Sequence, residues 1–375
     1  MCFALVRPPI YIRPRPLPVH NRNRFLMTRI DTDAATAATT AAYCHYEWNE
    51  QTPIHTIKQD AIDYLTTGTK TTPSSSSCMD TSEATVAVEQ LLAHTLKLSW
   101  DNGYRLIRNN QQPFRYLTMD QLQTFQRYLH RRGKCHEPLQ YILGQWDFLD
   151  ITLQVRSPLL CPRPETEELV LMVAEEITNI RTATRTATHK QPSTTIRILD
   201  VGCGTGAIGI ALLHSLPKDA AIHVTAIDVE PIAISTSTMN AKTILSEGSS
   251  RYQTIQCSAA EYQPDNGLFD LVVSNPPYIP TADMEGLDKT VRDFESHTAL
   301  CGGIDGLNVI RDIIHQLPHW CVPGAFCFME VNPSHTSMVK TWLEHDTTIG
   351  VDFVSGHQDM FGLDRFVKLQ VRHLS

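Results

Sequence analysis

The chain has 375 residues, which is longer than one average domain. Of these residues 42% are hydrophobic, which is enough to form a core. No stretch offers the roughly 20 apolar residues of a membrane-spanning helix, so we predict no membrane segment. The formal net charge of −8 argues against a nucleic-acid substrate, because nucleic-acid binding normally needs a basic surface.

The first 30 residues contain six arginines, five prolines and no acidic residue. An arginine-rich segment without acids is typical of a mitochondrial transit peptide, so we predict the mitochondrial matrix, with the cytoplasm as the alternative. The prolines and the absence of serine favour other origins, namely a disordered basic tail or an extension upstream of a start at Met27. Residues 31–80 are rich in Thr, Ala and Ser, and we predict that they are largely disordered.

Apolar residues at helical spacing begin after residue 80. Stripes at 88–96 and 122–129 predict two helices with buried faces. The second stripe follows Thr118-x-x-Gln121, which is the pattern of a capping box. We therefore predict a helical region over residues 81–144.

Helical and strand patterns alternate from Pro164 onward. An apolar helix face at 169–177 precedes predicted strands at 196–201, 222–228, 252–257, 269–274 and 324–331, and a closing hairpin at 351–354 and 366–371. Residues 181–195, with a repeated Arg-Thr-Ala-Thr, predict a surface loop. The alternation predicts a doubly wound α/β sheet.

A glycine-rich loop at 202–206 separates the strand at 196–201 from a predicted helix at 207–213. Glycines let the backbone turn tightly beside a ligand, and the helix N terminus presents free N–H groups to an anion. The next strand ends at Asp228, whose carboxylate can accept hydrogen bonds from both hydroxyls of a ribose. These elements predict a nucleoside pocket.

Asn275-Pro276-Pro277-Tyr278 follows an apolar run that predicts a buried parallel strand, and such strands bind ligands at their carboxyl ends. The Asn275 side-chain oxygen and a backbone carbonyl freed by the prolines can accept two N–H hydrogens, while Tyr278 offers a flat face to a planar group. The motif predicts methylation of an amide or amino nitrogen. A proline-stiffened turn is the alternative.

The glycines at 204, 206 and 209, with Asp228 further on, also match a dinucleotide fingerprint, so a nicotinamide enzyme is an alternative. Asp200, two residues before Gly202, is typical of S-adenosylmethionine sites. Together with the NPPY motif, it favours a methyltransferase. The ten cysteines form no C-x-x-C pair and the sixteen histidines show no metal-binding spacing, so we predict reduced thiols and no metal site.

The chain resembles the HemK/PrmC family, the protein-(glutamine N5) methyltransferases that modify peptide-chain release factors. The resemblance runs from about residue 132 to the C terminus. Besides the glycine loop and the NPPY motif, it rests on RG at 132–133, EPLQYILG at 137–144, CPRPETE at 161–167, FESHTAL at 294–300 and GGIDGL at 302–307.

This resemblance implies a seven-stranded, Rossmann-like S-adenosylmethionine-dependent methyltransferase domain at 164–375. A small helical substrate-binding domain at 81–144 would precede it, joined by a hairpin linker at 145–163. The implied cofactor is S-adenosylmethionine, bound by Asp200, Gly202, Cys203, Gly204, Thr205, Gly206, Asp228, Ser258, Ala260 and Asn275. Many relatives carry an acid and an aromatic at the adenine pocket, where this chain has Ala259 and Ala260.

The implied catalytic residues, which would also hold the glutamine of a Gly-Gly-Gln loop, are Asn275, Pro276, Pro277 and Tyr278. Arg163 and Glu165 would shape the substrate wall, although a helix start with Pro164 at its first position explains them equally well. The implied partner is a release factor, with the enzyme acting as a monomer. An N6-adenine methyltransferase and a non-catalytic binding module are the alternative functions.

Overall fold

The computed structural model describes residues 47–67, 79–98, 100–112, 114–188, 195–216 and 221–372, without the side chains of 100–102 and 183–188. The predicted transit segment at 1–30 lies outside these residues, as do residues 31–46 of the segment predicted to be disordered. Within the described ranges, no helix is long and apolar enough to cross a membrane.

Five helices form the N-terminal part of the described chain: α1 (Ile54–Thr67), α2 (Thr81–Thr95), α3 (Trp100–Arg108), α4 (Met119–Gly133) and α5 (Leu139–Leu143). The capping box is present, because the Thr118 hydroxyl accepts the Gln121 N–H and the Gln121 side chain accepts the Thr118 N–H. Both predicted stripes are buried in one core, which contains Leu91, Leu92, Phe125 and Leu129.

Helix α1 contradicts the prediction of disorder for residues 31–80. Its residues Ile54, Ile57, Ala61 and Leu65 recur at helical spacing and are buried against α2. The Thr- and Ser-rich composition of the surrounding segment hides this short apolar stripe. The prediction is therefore wrong for residues 54–67.

A short antiparallel hairpin, β1 (Gln145–Phe148) and β2 (Ile151–Gln154), follows α5. Gly144 ends α5 with a φ of +72°, a conformation that glycine adopts without strain. Phe148, Ile151 and Leu153 are buried in the same core as the large sheet. The hairpin connects the helical region to that sheet.

Seven strands form the large sheet: β3 (Ile196–Val201), β4 (Ile222–Asp228), β5 (Tyr252–Gln256), β6 (Phe269–Ser274), β7 (Cys321–Glu330), β8 (Val351–Gln358) and β9 (Asp364–Val371). Their order is β5-β4-β3-β6-β7-β9-β8, and all neighbours are parallel except those of β9. The predicted doubly wound sheet is confirmed. Strand β7 begins three residues before the prediction, and the closing hairpin is longer than predicted.

Helices cover both faces of this sheet: α6 (Pro164–Thr188), α7 (Ala207–Ser215), α8 (Pro231–Leu245), α9 (Lys289–Arg292), α10 (His297–Leu300), α11 (Asn308–Trp320) and α12 (His335–His345). One core layer contains apolar residues of α6 and α7, and the other contains those of α11 and α12. The strand order reverses at β3, which pairs with β4 on one side and β6 on the other. Ligands bind at such a reversal in open α/β sheets.

Helix α6 continues to Thr188 and so overlaps the loop predicted at 181–195. Residues 181–188 contain neither Gly nor Pro, so nothing in their sequence stops the helix. The loop prediction is wrong for these eight residues, and 189–194 lie outside the described part.

Candidate active site

A cavity of about 220 Å³ opens at the carboxyl ends of β3, β4 and β6 and beside the segment that follows β5. Most of the predicted cofactor-binding residues line it, namely Gly202, Cys203, Gly204, Thr205, Asp228, Ser258, Ala260 and Asn275. Arg163, Pro276 and Pro277 line it as well. Asp200, Gly206, Tyr278 and Glu165 do not, and each has a different structural position.

Asp200 lies behind the glycine loop. Its side chain is fully buried, and its Oδ2 accepts the Gly209 N–H at 3.0 Å, which fastens the first turn of α7 to β3. Burial raises the pKa of this carboxyl to about 7. The prediction that Asp200 contacts the cofactor is therefore not supported, because its carboxyl points at the helix.

Gly206 begins α7 with a φ of +84°. A Cβ atom here would lie 2.6 Å from Ile210 Cδ1 and 3.0 Å from Ser237 Cβ. Local packing and backbone conformation therefore require glycine at this position. A cofactor contact is not needed to explain it.

Asp228 lies at the end of β4 and holds the glycine loop in place. Its Oδ2 accepts the Gly204 N–H at 2.9 Å, and its Oδ1 accepts the Glu230 N–H at 2.9 Å. Burial raises the pKa of this carboxyl. Each carboxylate oxygen has about two acceptor sites, so one on each oxygen is still available to a ribose hydroxyl.

The segment after β5 contributes small side chains to the cavity. Ser258 and Ala260 line it, and the Ser258 hydroxyl donates to Glu261 at 2.8 Å. Glu261, the first acid after this strand, does not line the cavity. The segment after β5 therefore presents only small side chains, from Cys257 to Ala260, to the cavity.

A continuous polar chain joins Asn275 to Tyr278 through two residues that the sequence did not single out. The Asn275 Nδ2 donates to the Thr166 Oγ1 at 3.1 Å, and the Thr166 hydroxyl donates to the Glu330 Oε2 at 2.7 Å. The Tyr278 hydroxyl donates to the other carboxylate oxygen, Oε1, at 3.1 Å. We call these four residues the polar chain.

Glu330 ends β7, the strand beside β6, and is only 1% exposed. Burial raises the pKa of its carboxyl, and burial beside Glu330 raises the pKa of the Tyr278 hydroxyl. The structure thus places Tyr278 with its hydroxyl on Glu330 and its ring outside the cavity lining. The sequence could have indicated Glu330, because it is an acidic residue at the end of an apolar strand.

Arg163 lines the cavity and is paired with Glu295, which does not line it. The Arg163 Nη2 donates to both Glu295 oxygens, at 2.8 and 2.7 Å, and burial raises the pKa of Glu295 although the guanidinium opposes it. The N–H of Ser296, the residue after Glu295, donates to the Pro158 carbonyl at 2.7 Å. Glu165 lies outside the cavity lining in the first turn of α6, which does begin at Pro164.

Comparison with known proteins decides the family. Residues 77–144 match the model of the PrmC N-terminal domain, and residues 179–292 match that of the methyltransferase small domain. The MTRF1L release factor glutamine methyltransferase of Homo sapiens is 34% identical over 292 residues, which cover 77% of this chain and 82% of the human protein. The chain belongs to the release factor glutamine methyltransferase family.

Bacterial members show the same similarity. The release factor glutamine methyltransferase of Geobacter sulfurreducens is 36% identical over 237 residues, covering 63% of this chain and 74% of that protein. The one of Rhodopirellula baltica is 31% identical over 251 residues, covering 67% and 79%. The family confirms the predicted resemblance, the methyltransferase class and S-adenosylmethionine as the cofactor.

The residues around the cavity fit this cofactor. Asp228 keeps acceptor sites for hydroxyl groups, the backbone of 202–205 lines the cavity, and apolar side chains such as Ile208 and Ile227 form other parts of its wall. In the described part of the chain, no group of three His, Cys, Asp or Glu side chains could hold a metal ion.

Proposed function

We propose that this protein transfers a methyl group from S-adenosylmethionine to the side-chain amide nitrogen N5 of glutamine in the Gly-Gly-Gln loop of a peptide-chain release factor. The observation that carries the proposal is the orientation of Asn275 at the carboxyl end of β6. Its NH2 group donates to Thr166, and its side-chain oxygen, to which no donor in the described residues is bonded, remains as an acceptor. The family relatives, which are named for release factors, support the same substrate.

The target nitrogen must be held in position, because its lone pair is delocalised into the amide. The Asn275 Oδ1 accepts one of the two N–H hydrogens of the glutamine side chain. A backbone carbonyl of the motif accepts the other, since no donor in the described residues is bonded to the carbonyls of Asn275, Pro276 or Pro277, which all line the cavity. Two acceptors fix the plane of the NH2 group and direct its lone pair to one side.

Bound S-adenosylmethionine supplies an electrophilic methyl carbon on a sulfonium. That methyl group would pass to the amide nitrogen with S-adenosylhomocysteine as the leaving group, and the nitrogen would lose one proton to solvent. Asp228 and the glycine loop hold the nucleoside, and the polar chain holds the glutamine amide that receives the methyl group. The rate gain comes from orientation and from oxygens that stabilise the positive charge developing on nitrogen.

The experiment uses S-adenosylmethionine labelled in the methyl group. The full chain is incubated with a release-factor domain that carries Gly-Gly-Gln, with the same domain carrying Gly-Gly-Ala, and with single-stranded and double-stranded DNA and RNA. We expect label on the Gly-Gly-Gln domain alone, located on the glutamine by mass spectrometry. Label on adenine instead would support an N6-adenine methyltransferase, and no transfer to any substrate would support a non-catalytic module.

We propose a monomer as the active form, because the glycine loop, Asp228 and the NPPY motif of one chain meet at the same cavity. Sedimentation velocity at assay concentrations tests this, and activity confined to a dimer fraction would contradict it.

We also propose the mitochondrial matrix as the location, because residues 1–30 contain six arginines and no acid. A fluorescent fusion of residues 1–60 tests the location, and a diffuse cytosolic signal would contradict it.

A further inference from the structure

We propose that Glu330 and Thr166 are positioning residues that set the direction of the Asn275 amide and thereby select an amide over a carboxylate in the active site. The proposal rests on the proposed function, and it assigns a role to Thr166, which lines the cavity, and to Glu330, which does not. It follows from the donors and acceptors in the polar chain.

The direction of the polar chain starts at Glu330. An ionised carboxylate can only accept hydrogen bonds, and each Glu330 oxygen lies opposite one hydroxyl, that of Thr166 at 2.7 Å and that of Tyr278 at 3.1 Å. Each hydroxyl has a single hydrogen, so both hydrogens point at Glu330. Thr166 then faces Asn275 only as an acceptor.

Asn275 must therefore present its NH2 group to Thr166, 3.1 Å away. An asparagine amide has its donor and acceptor on opposite branches, so this contact turns the oxygen away from Thr166. The oxygen is then available to a ligand N–H in the cavity that Asn275 lines. A buried charge at Glu330 thus decides which end of a different side chain a substrate meets.

The surroundings of Glu330 keep this direction fixed. Burial raises the pKa of its carboxyl, while the hydrogen bonds from Thr166 and Tyr278 and the positive charge of Arg365 favour the ionised form. Arg365 is itself held by Asp359, whose Oδ2 lies 3.2 Å from the Arg365 Nε. Each bond of the polar chain shares a group with the next, so reversal of one bond requires reversal of the next.

Glu330→Gln keeps the shape of the side chain and allows the hydrogen bonds of the polar chain to reverse their direction. A glutamine side chain accepts on one branch and donates on the other, so either Thr166 or Tyr278 must receive a hydrogen. When Thr166 receives it, the Thr166 hydroxyl donates to Asn275, and the asparagine turns its NH2 group toward the cavity. That donor repels the N–H of a glutamine and attracts a carboxylate.

The test compares Glu330→Gln, Thr166→Val and Thr166→Ser with the unaltered chain. Thr166→Val removes the hydroxyl at nearly constant shape, whereas Thr166→Ser keeps it. Thr336→Val and Glu176→Gln are matched controls, because the buried Thr336 hydroxyl has no hydrogen-bond partner in the described residues and Glu176 pairs with Lys368 away from the cavity. Calorimetric affinity for S-adenosylmethionine shows that each variant is folded.

Two readouts are measured with a release-factor domain. The first is kcat and KM for methylation of Gly-Gly-Gln. The second is the ratio of the dissociation constants for Gly-Gly-Glu and Gly-Gly-Gln domains, measured in the presence of S-adenosylhomocysteine. A purely structural role would lower activity without changing this preference for an amide over a carboxylate.

We expect Glu330→Gln and Thr166→Val to lower kcat by about 10- to 100-fold, which is less than the loss of an entire preorganised group. The preference for Gly-Gly-Gln should fall by about tenfold, since the misdirected amide leaves polar groups unpaired. Thr166→Ser and both controls should keep the kcat and the preference of the unaltered chain.

Unchanged kcat in Glu330→Gln and Thr166→Val would overturn the proposal, and so would a lower kcat with an unchanged preference for Gly-Gly-Gln. Failure of Thr166→Ser to retain activity would also count against it. If the unaltered chain does not methylate Gly-Gly-Gln at all, the proposed function fails instead, and that outcome is visible before any variant is compared.

Discussion

Replacement of Asn275 by alanine tests whether this side chain orients the target nitrogen or merely contributes to binding. Asn275→Ala removes the oxygen that accepts a glutamine N–H and leaves Thr166 without its 3.1 Å donor. The Thr166 hydroxyl still donates to Glu330 at 2.7 Å, so the rest of the polar chain keeps its bonds. The variant thus removes the acceptor that faces the cavity and the donor to Thr166, and it leaves the bonds to Glu330 in place.

The size of the effect separates the two roles. A neutral hydrogen bond contributes about 0.5–1.5 kcal/mol, so loss of a simple binding contact would raise KM by about 2- to 13-fold and leave kcat unchanged. Loss of a preorganised group that acts in the transition state lowers kcat by about 10²–10³, equivalent to about 2.7–4 kcal/mol. The contacts of Asn275 predict the second result.

The assay measures single-turnover methylation of a Gly-Gly-Gln domain by quenched flow and mass spectrometry, with the affinity for S-adenosylmethionine measured by calorimetry. Asn332→Ala is a suitable control, because Asn332 caps the turn before α12 through the Ser334 N–H and does not line the cavity. We expect normal turnover in the control and nearly unchanged cofactor affinity in Asn275→Ala. Near-normal kcat in Asn275→Ala would refute the placement of the acceptor at this motif.

Three further predictions concern the carboxylates and a glycine around the cavity. Asp228→Asn leaves one acceptor for two N–H groups, so S-adenosylmethionine affinity by calorimetry should fall by about 1.5–3 kcal/mol, and unchanged affinity would place the ribose contact elsewhere. The folded-state pKa of Asp200 is raised from 3.8 to about 7, so stability falls as pH rises through this interval and is highest below it. In the unaltered chain, Asp200 should lower the free energy of unfolding by at most about 4 kcal/mol between pH 4 and 7, and this decrease should be absent in Asp200→Asn. Urea titrations across this pH range measure it, and the same pH profile in both proteins would contradict the raised pKa. Gly302→Ala places a Cβ 2.6 Å from the Pro277 carbonyl and should lower kcat by more than about tenfold at constant cofactor affinity, whereas Gly286→Ala, which meets no atom within 4 Å, should retain activity.

The sequence alone determined the parts of this protein that depend on local pattern. Apolar runs of the length of a strand, separated by helical stripes, predicted the doubly wound sheet, because strands buried on both faces read as continuous apolar segments. The glycine loop, Asp228 and Asn275 were found because strand ends in such a sheet converge on one crevice. The capping box at Thr118 was found because its bonds join residues only three apart.

Tertiary structure decided which of these side chains reach the cavity and which support it. Asp200 looked like a ligand by its place beside the glycines, but its carboxyl turns to the Gly209 N–H, a choice made by the packing of α7 on β3. Thr166 and Glu330 are separated by 164 positions and meet only because α6 packs beside the end of β7. Hydrogen-bond direction across such distances depends on which elements are neighbours, and no local pattern records it. The glycine loop, Asp228 and Asn275 of the cavity could therefore be predicted from the sequence, whereas the place of Thr166 in its lining and the orientation of Asn275 required the fold.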